Sequence, residues 1–149
     1  MLLREICIPD VVYCTADTTA ASAARLMRER HVGDVVVVED ADGDQTPIGV
    51  VTDRDLIVEG LAKERDAAKI KVRDIMRTPV VVARTTEDAS RALERMRVHG
   101  VRRIPVMDEH LRLAGIFCLD DLVKRLAADT AALAEILSGE QDRERRRRR

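Results

Sequence analysis

Thr52 and Asp55 stand three residues apart in the stretch GVVTDRDL, Gly49 to Leu56, immediately after an apolar run. A hydroxyl and a carboxylate at that spacing form a helix capping box. The threonine accepts a backbone N–H of the first turn, and the acidic side chain reaches back to the threonine's own N–H. The same spacing gathers a hydroxyl, a carboxylate and helix N–H groups at the end of a strand and the start of a helix. Anions and the paired hydroxyls of a ribose bind well at such a point. The two readings do not exclude each other, and spacing alone leaves both open. A related stretch, GIFCLDDL (Gly115 to Leu122), carries Asp121 where Asp55 stands and Cys118 where Thr52 stands. A thiol is a weak hydrogen-bonding partner, and Asp120 adds negative charge beside it. Arg54 sits at the helix start, and Arg102 and Arg103 precede the run IPVM. Each is either a solvated cation or a contact for an anion.

The elements that must position these residues repeat. ASAARLMRERHVGDVVVVED (Ala21 to Asp40) resembles ASRALERMRVHGVRRIPVMDE (Ala89 to Glu109), with Met27 over Met96, Val35 over Ile104 and Val37 over Val106. Internal similarity of this kind marks a duplicated unit. Each copy begins with a short extended piece, Val11 to Thr15 or Val80 to Ala83. A helix follows with apolar residues at helical spacing: Ala20, Ala23, Ala24 and Met27, then Ala89, Ala92, Leu93 and Met96. A β-branched strand comes next (Val35 to Val38; Ile104 to Met107), then a turn and a second strand (Ile48 to Val51; Gly115 to Cys118). The last helix starts near Asp53 or Leu119. The predicted order is β-α-β-β-α, twice, an α/β (α+β) fold. A single copy of this size buries little surface, so the two copies are expected to share a core, packed sheet to sheet about a pseudo-twofold axis. The predicted boundaries are 8–66 and 67–128, with a C-terminal helix and Arg-rich tail over 129–149. The charged run from Glu59 to Asp74 reads as a linker with room for a helical turn, Gly139 as a helix stop, and the residues after it as disordered. His31 and His99 fall at helix C-termini, where partial positive charge is favourable.

The totals exclude several classes. The chain has 149 residues, 46% apolar and 36% charged, and a net charge of −1. Its last seven residues, RERRRRR, carry a net +5, so residues 1–142 carry −6. Tyr13 and Phe117 are its only aromatic residues, which argues against a nucleic-acid surface built on stacking. The Arg tail offers at most accessory attraction to polyanions. No run is long enough to span a bilayer, and MLLREICIPD has no apolar signal region, so the expected location is the cytoplasm. Cys7, Cys14 and Cys118 form no C-x-x-C, and the three histidines have no ligand spacing; reduced thiols and no metal are expected. No catalytic constellation stands out: there is no Walker-type glycine loop, and the adjacent Asp120 and Asp121 do not suit acid–base work.

Two β-α-β-β-α copies that end in Gly-apolar-apolar-Thr-x-x-Asp-Leu, or a variant of it, resemble a pair of CBS domains, named for cystathionine β-synthase. VRRIPVMDEHLRLAGI (Val101 to Ile116) is similar to the family's middle hairpin, and TDRDLIVEGLA (Thr52 to Ala62) to its small bacterial members. The resemblance implies an adenosine-containing ligand (AMP, ADP or ATP, or S-adenosylmethionine or NAD) in a cleft between the modules. By that likeness Asp55 grips the ribose, and Thr52 the ribose or phosphate. Tyr13, Thr15 and Ala16 flank the adenine. Arg102 and Arg103 face the phosphates, with Arg54 a further candidate. Asp121 marks a second site, put in doubt by Cys118. It further implies a regulatory protein without catalysis or a required cofactor, acting as a homodimer on an unknown effector in trans. The alternative is a dimerisation or scaffold module that has lost its ligand.

Overall fold

The computed structural model describes residues 1–147, without the side chains of Ala41, Gln141 and Asp142. By internal contacts the chain divides into two units, one over Met1–Phe117 and a second that begins at Cys118.

In the first unit, β1 (Tyr13–Thr15) leads to a turn that ends on Thr19, whose side chain accepts the Ser22 N–H and so starts α1 (Ala20–Arg30). Ala20, Ala23 and Met27 recur at three- and four-residue spacing and are all buried. The helix stops where His31 adopts a left-handed conformation (φ 54°) and returns its N–H to the Met27 carbonyl. β2 (Asp34–Ala41) and β3 (Asp44–Thr52) form an antiparallel hairpin, and β1 pairs with β2 in parallel. Val37 faces Gly49 but Val38 faces Pro47, so Ile48 is an extra residue in β3. Proline has no N–H for the ladder, and a bulge beside it is the expected accommodation. α2 (Asp53–Asp55) continues as a π turn (Leu56–Gly60) and a 3-10 turn (Leu61–Lys63).

The second copy repeats the order. β4 (Ala83–Arg84) pairs in parallel with β5 (Arg103–Met107), and β6 (Leu113–Cys118) is β5's other neighbour. Between them α3 (Ala89–His99) is capped by Asp88 and ended by Gly100 at φ 63°. Gly100 is the counterpart of His31, so the two copies solve the same left-handed position with different residues. The order β-α-β-β-α, twice, with one three-stranded sheet per copy, is therefore observed.

One face of the first sheet packs on α1 through Val35, Val37 and Val51. Val36 and Val38 on its other face, and Pro105 of β5, are just as buried, and β3 lies against β5. The two copies thus share a core between their sheets.

The linker expectation over 59–74 is corrected. Ile70, Val72 and Ile75 are buried in the core of the first copy. Their backbone bonds to it as well: Ala20 N–H to Ile70 O, Val72 N–H to Thr18 O, and Arg77 N–H to Val50 O. The chain start makes the equivalent bonds to the second copy, Leu3 N–H to Glu87 O and a two-way Ile8–Ile116 bridge. Leu3 and Val72 occupy matching places and neither has any exposed surface. Each copy is completed by the segment that precedes the other.

In the second unit, α4 runs from Leu119 to Arg147. The predicted boundary at 128/129 falls inside it. It does not stop at Gly139, because a mid-helix glycine costs only about 1 kcal/mol and good helix formers flank it. The disorder expected over 140–147 is replaced by helix, and 148–149 lie outside the described residues.

Candidate functional site

The capping box is formed. Thr52 Oγ1 accepts the Asp55 N–H at 3.1 Å and donates its own proton to Asp55 Oδ2 at 2.8 Å; the Thr52 N–H donates to the same Oδ2 at 2.9 Å. The other carboxylate oxygen, Oδ1, accepts from Arg77 Nε at 3.3 Å. Asp55 is largely buried (side chain 13% exposed) whereas Arg77 is half exposed. Both oxygens of Asp55 are therefore engaged, one by its own helix and one by a cation from the segment that leads into the second copy.

A cleft of about 450 Å³ opens beside this corner, within the size range of small-molecule sites. Its first-copy wall is Gly33, Asp34, Val50, Thr52, Asp53 and Arg54. Its second-copy wall is Arg77 and Pro79 to Val81, with Gly100 to Arg103. Four arginines (Arg54, Arg77, Arg102, Arg103) line the cleft with two aspartates (Asp34, Asp53), and Asp55 behind Thr52 pairs with Arg77, so the corner keeps a small cationic excess although residues 1–142 are acidic as a whole. Its apolar lining is aliphatic: Val50, Pro79, Val80, Val81 and Val101.

Two local features shape the cleft. The Asp53 N–H donates to the Gly33 carbonyl at 2.9 Å, which ties the turn before β2 to the start of α2. A Cβ on Gly33 would stand 3.2 Å from Asp53 Oδ2, so glycine permits that approach. Asp34 and Arg103, the first residues of β2 and β5, form an ion pair across the cleft. They occupy equivalent positions in the two copies. Burial pushes the Asp34 carboxyl up, and Arg103 pulls it only part of the way back.

The structure gathers Thr52, Arg54, Arg102 and Arg103 on the cleft, with Asp55 directly behind Thr52. It does not bring Tyr13, Thr15 or Ala16 there. The Tyr13 hydroxyl accepts from Gln45 Nε2, Thr15 belongs to the β1 turn, and the Ala16 carbonyl accepts the Arg73 N–H. The reason is the crossing described above: the backbone facing Thr52 is Pro79 to Val81 of the second copy, not the first copy's own lead-in. Asp121 lies on α4 in the other unit, with Lys124 Nζ 3.7 Å away. Arg77, Asp34 and Asp53 were missed by sequence reasoning. The repeat held the signal for Arg77, because the 69-residue offset continues back through Val72 over Leu3. Among the described residues no group of three or more His, Cys, Asp or Glu is placed to hold a metal. Nor is any helix there long and apolar enough to cross a membrane.

The family model described as "CBS domain" matches residues 3–61 and again 72–128. The chain belongs to the CBS-domain family. This CBS pair is 33% identical to the uncharacterized protein YlbB of Bacillus subtilis over 147 residues, 95% of each chain. It is 32% identical over 120 residues to the uncharacterized protein MK0525 of Methanopyrus kandleri, covering 80% of this chain and only 60% of that relative. Among solved structures, the CBS domain protein PAE2072 from Pyrobaculum aerophilum, complexed with AMP, has the same fold (TM-score 0.72). It is 24% identical, with 82% of this chain and 90% of that chain covered.

Proposed function

We propose that this CBS pair is a regulatory sensor that binds an adenine nucleotide of the AMP, ADP or ATP class in the cleft beside Thr52, without chemistry of its own. The observation that carries the reading is one small cleft lined by four arginines, the Thr52 hydroxyl and an aliphatic wall, with the part-buried Asp55 carboxylate bonded to Thr52 behind it. Guanidinium groups suit phosphate oxygens, and a carboxylate can accept both hydroxyls of a ribose. The aliphatic side chains of Val80, Val81 and Val101 offer apolar surface to a base in the absence of aromatic residues. That a protein of the same fold holds AMP is consistent with this, but at its level of identity it speaks to fold alone.

The Asp55–Arg77 pair supplies a switch in this reading. Ribose hydroxyls that donate to Asp55 Oδ1 replace the Arg77 Nε–H there, and the released guanidinium turns to the phosphate. Arg77 is bonded through its backbone to Val50 of the first copy and leads into β4 of the second. Exchange of its partner therefore alters the tie between the copies, which an assembly of two chains passes to an effector in trans.

Isothermal titration with AMP, ADP and ATP tests the reading. Saturable binding near one nucleotide per chain is expected. Arg77→Gln should weaken it about tenfold, the equivalent of one charge-assisted hydrogen bond, with little change in melting temperature because Arg77 is half exposed. No saturable binding of any of the three would overturn the assignment.

A further inference from the structure

Beyond its first turn, helix α4 is uncovered on every side. Each residue over 123–140 is exposed. Yet the helix carries Val123, Leu126, Leu133, Ile136 and Leu137, between 51% and 63% exposed. Val123, Leu126, Thr130, Leu133 and Leu137 recur at alternating three- and four-residue steps, the spacing of a two-helix seam. Ala127 and Ala134 flank the seam, and Thr130 at its centre turns its hydroxyl inward to the Leu126 carbonyl at 2.8 Å. A single water-surrounded helix with such a stripe lacks the packing from which most helical stability in proteins comes.

Charge along the helix indicates what covers it. Over 119–140 the charged residues are Asp120, Asp121, Lys124, Arg125, Asp129, Glu135 and Glu140, a net −3. From Arg143 onward six arginines meet one glutamate. Two copies aligned in parallel would set their arginine clusters side by side. In antiparallel alignment each cluster runs toward the acidic start of the other helix, while the seams, centred near Thr130, still overlap.

We infer that α4 pairs with α4 of a second copy as an antiparallel two-helix coiled coil, sealed by Val123, Leu126, Leu133 and Leu137 and oriented by the arginine cluster. The inference takes up the two-chain assembly of the functional reading but does not depend on the nucleotide. At about 1.5 Å rise per residue, two copies of position 143 in such a pair lie about 35–40 Å apart, against about 20 Å or less in a parallel one.

The test is a pulsed dipolar distance measurement on the full chain, with a nitroxide carried by an unnatural side chain at position 143, which leaves the cysteines untouched. Sedimentation equilibrium runs alongside. A narrow distance near 35–40 Å, abolished in Leu133→Glu/Leu137→Glu, is the expected result. A short distance refutes the orientation. A signal unchanged in the double variant refutes the seam. No intermolecular distance overturns the inference; if the chain still sediments as a dimer, the two-copy assembly survives and only this contact fails.

Discussion

The Asp34–Arg103 pair allows a test in which its two halves give unequal results. Removing one partner of a fully buried pair costs about 3–5 kcal/mol, whereas an exposed pair is worth about 0–1 kcal/mol. Here the Asp34 side chain is 11% exposed and that of Arg103 38%, so solvent recovers part of the loss and Arg103→Ala should cost roughly 2 kcal/mol. For a chain of this length that lowers the melting temperature by roughly 4–8 °C. Asp34→Asn should be near neutral, because it removes the charge whose burial is unfavourable and leaves a cation that water still reaches. The sign with pH follows from the raised Asp34 pKa. A carboxyl whose folded pKa lies above its unfolded value contributes most below the unfolded value, and that contribution is lost as pH rises through the folded pKa. Removing Arg103 raises the folded pKa further. The Arg103→Ala deficit is therefore largest near pH 7.5 and shrinks toward pH 4.5, because falling pH drives the raised carboxyl toward its neutral form. Urea melts of both single variants and the double variant at the two pH values measure this, and the double should resemble Asp34→Asn. Equal costs for the two single variants, or a deficit that ignores pH, would refute the reasoning.

Two further substitutions probe packing and the long helix. A Cβ on Gly115 would stand 2.7 Å from Cys7 Sγ and 3.0 Å from the Ile8 carbonyl, so Gly115→Ala should displace the Ile8–Ile116 bridge and cost about 1–3 kcal/mol. Adding Cys7→Ala should restore only part of the lost melting temperature, because the carbonyl remains. Gly139→Ala meets nothing within 4 Å and should strengthen α4 by about 1 kcal/mol, seen as helical circular dichroism that survives to higher temperature; no change would mean that the helix ends before residue 139.

The strands and helices were legible because their patterns are local. Four consecutive valines, a helix with alanines at three- and four-residue spacing, and a Thr-x-x-Asp cap each announce themselves within a dozen residues. What was not legible is the crossing of the lead-in segments. Ile70, Val72 and Ile75 sit in a run dominated by Lys, Arg and Asp, and three isolated apolar residues among charges read as linker. Their burial comes from a 3-10 turn that docks on the other end of the first copy, a contact set by tertiary structure rather than by period. That Tyr13, Thr15 and Ala16 do not line this cleft follows from the same cause. Gly139 misled for the opposite reason: a glycine after a helical pattern usually marks an end, and here the arginine- and glutamate-rich residues beyond it carry the helix on.

The duplication also explains why the cleft is cationic in an acidic protein. Were the two copies identical, positions 34 and 103 would face each other as two carboxylates or two guanidinium groups, and one of the pair would have to lose its charge or turn away. Instead Gly33-Asp34 in one copy meets Arg102-Arg103 in the other. The exchange removes a clash near the pseudo-twofold axis and at the same time biases one side of it toward anions. The hydroxyl–carboxylate corner of Thr52 and Asp55 lies on that cationic side, whereas its repeat at Cys118 has lost the hydroxyl. The charge pattern and the hydrogen-bonding pattern thus select the same copy, although they are carried by residues some fifty positions apart. That coincidence is the physical reason for proposing a ligand at the Thr52 corner rather than at its repeat.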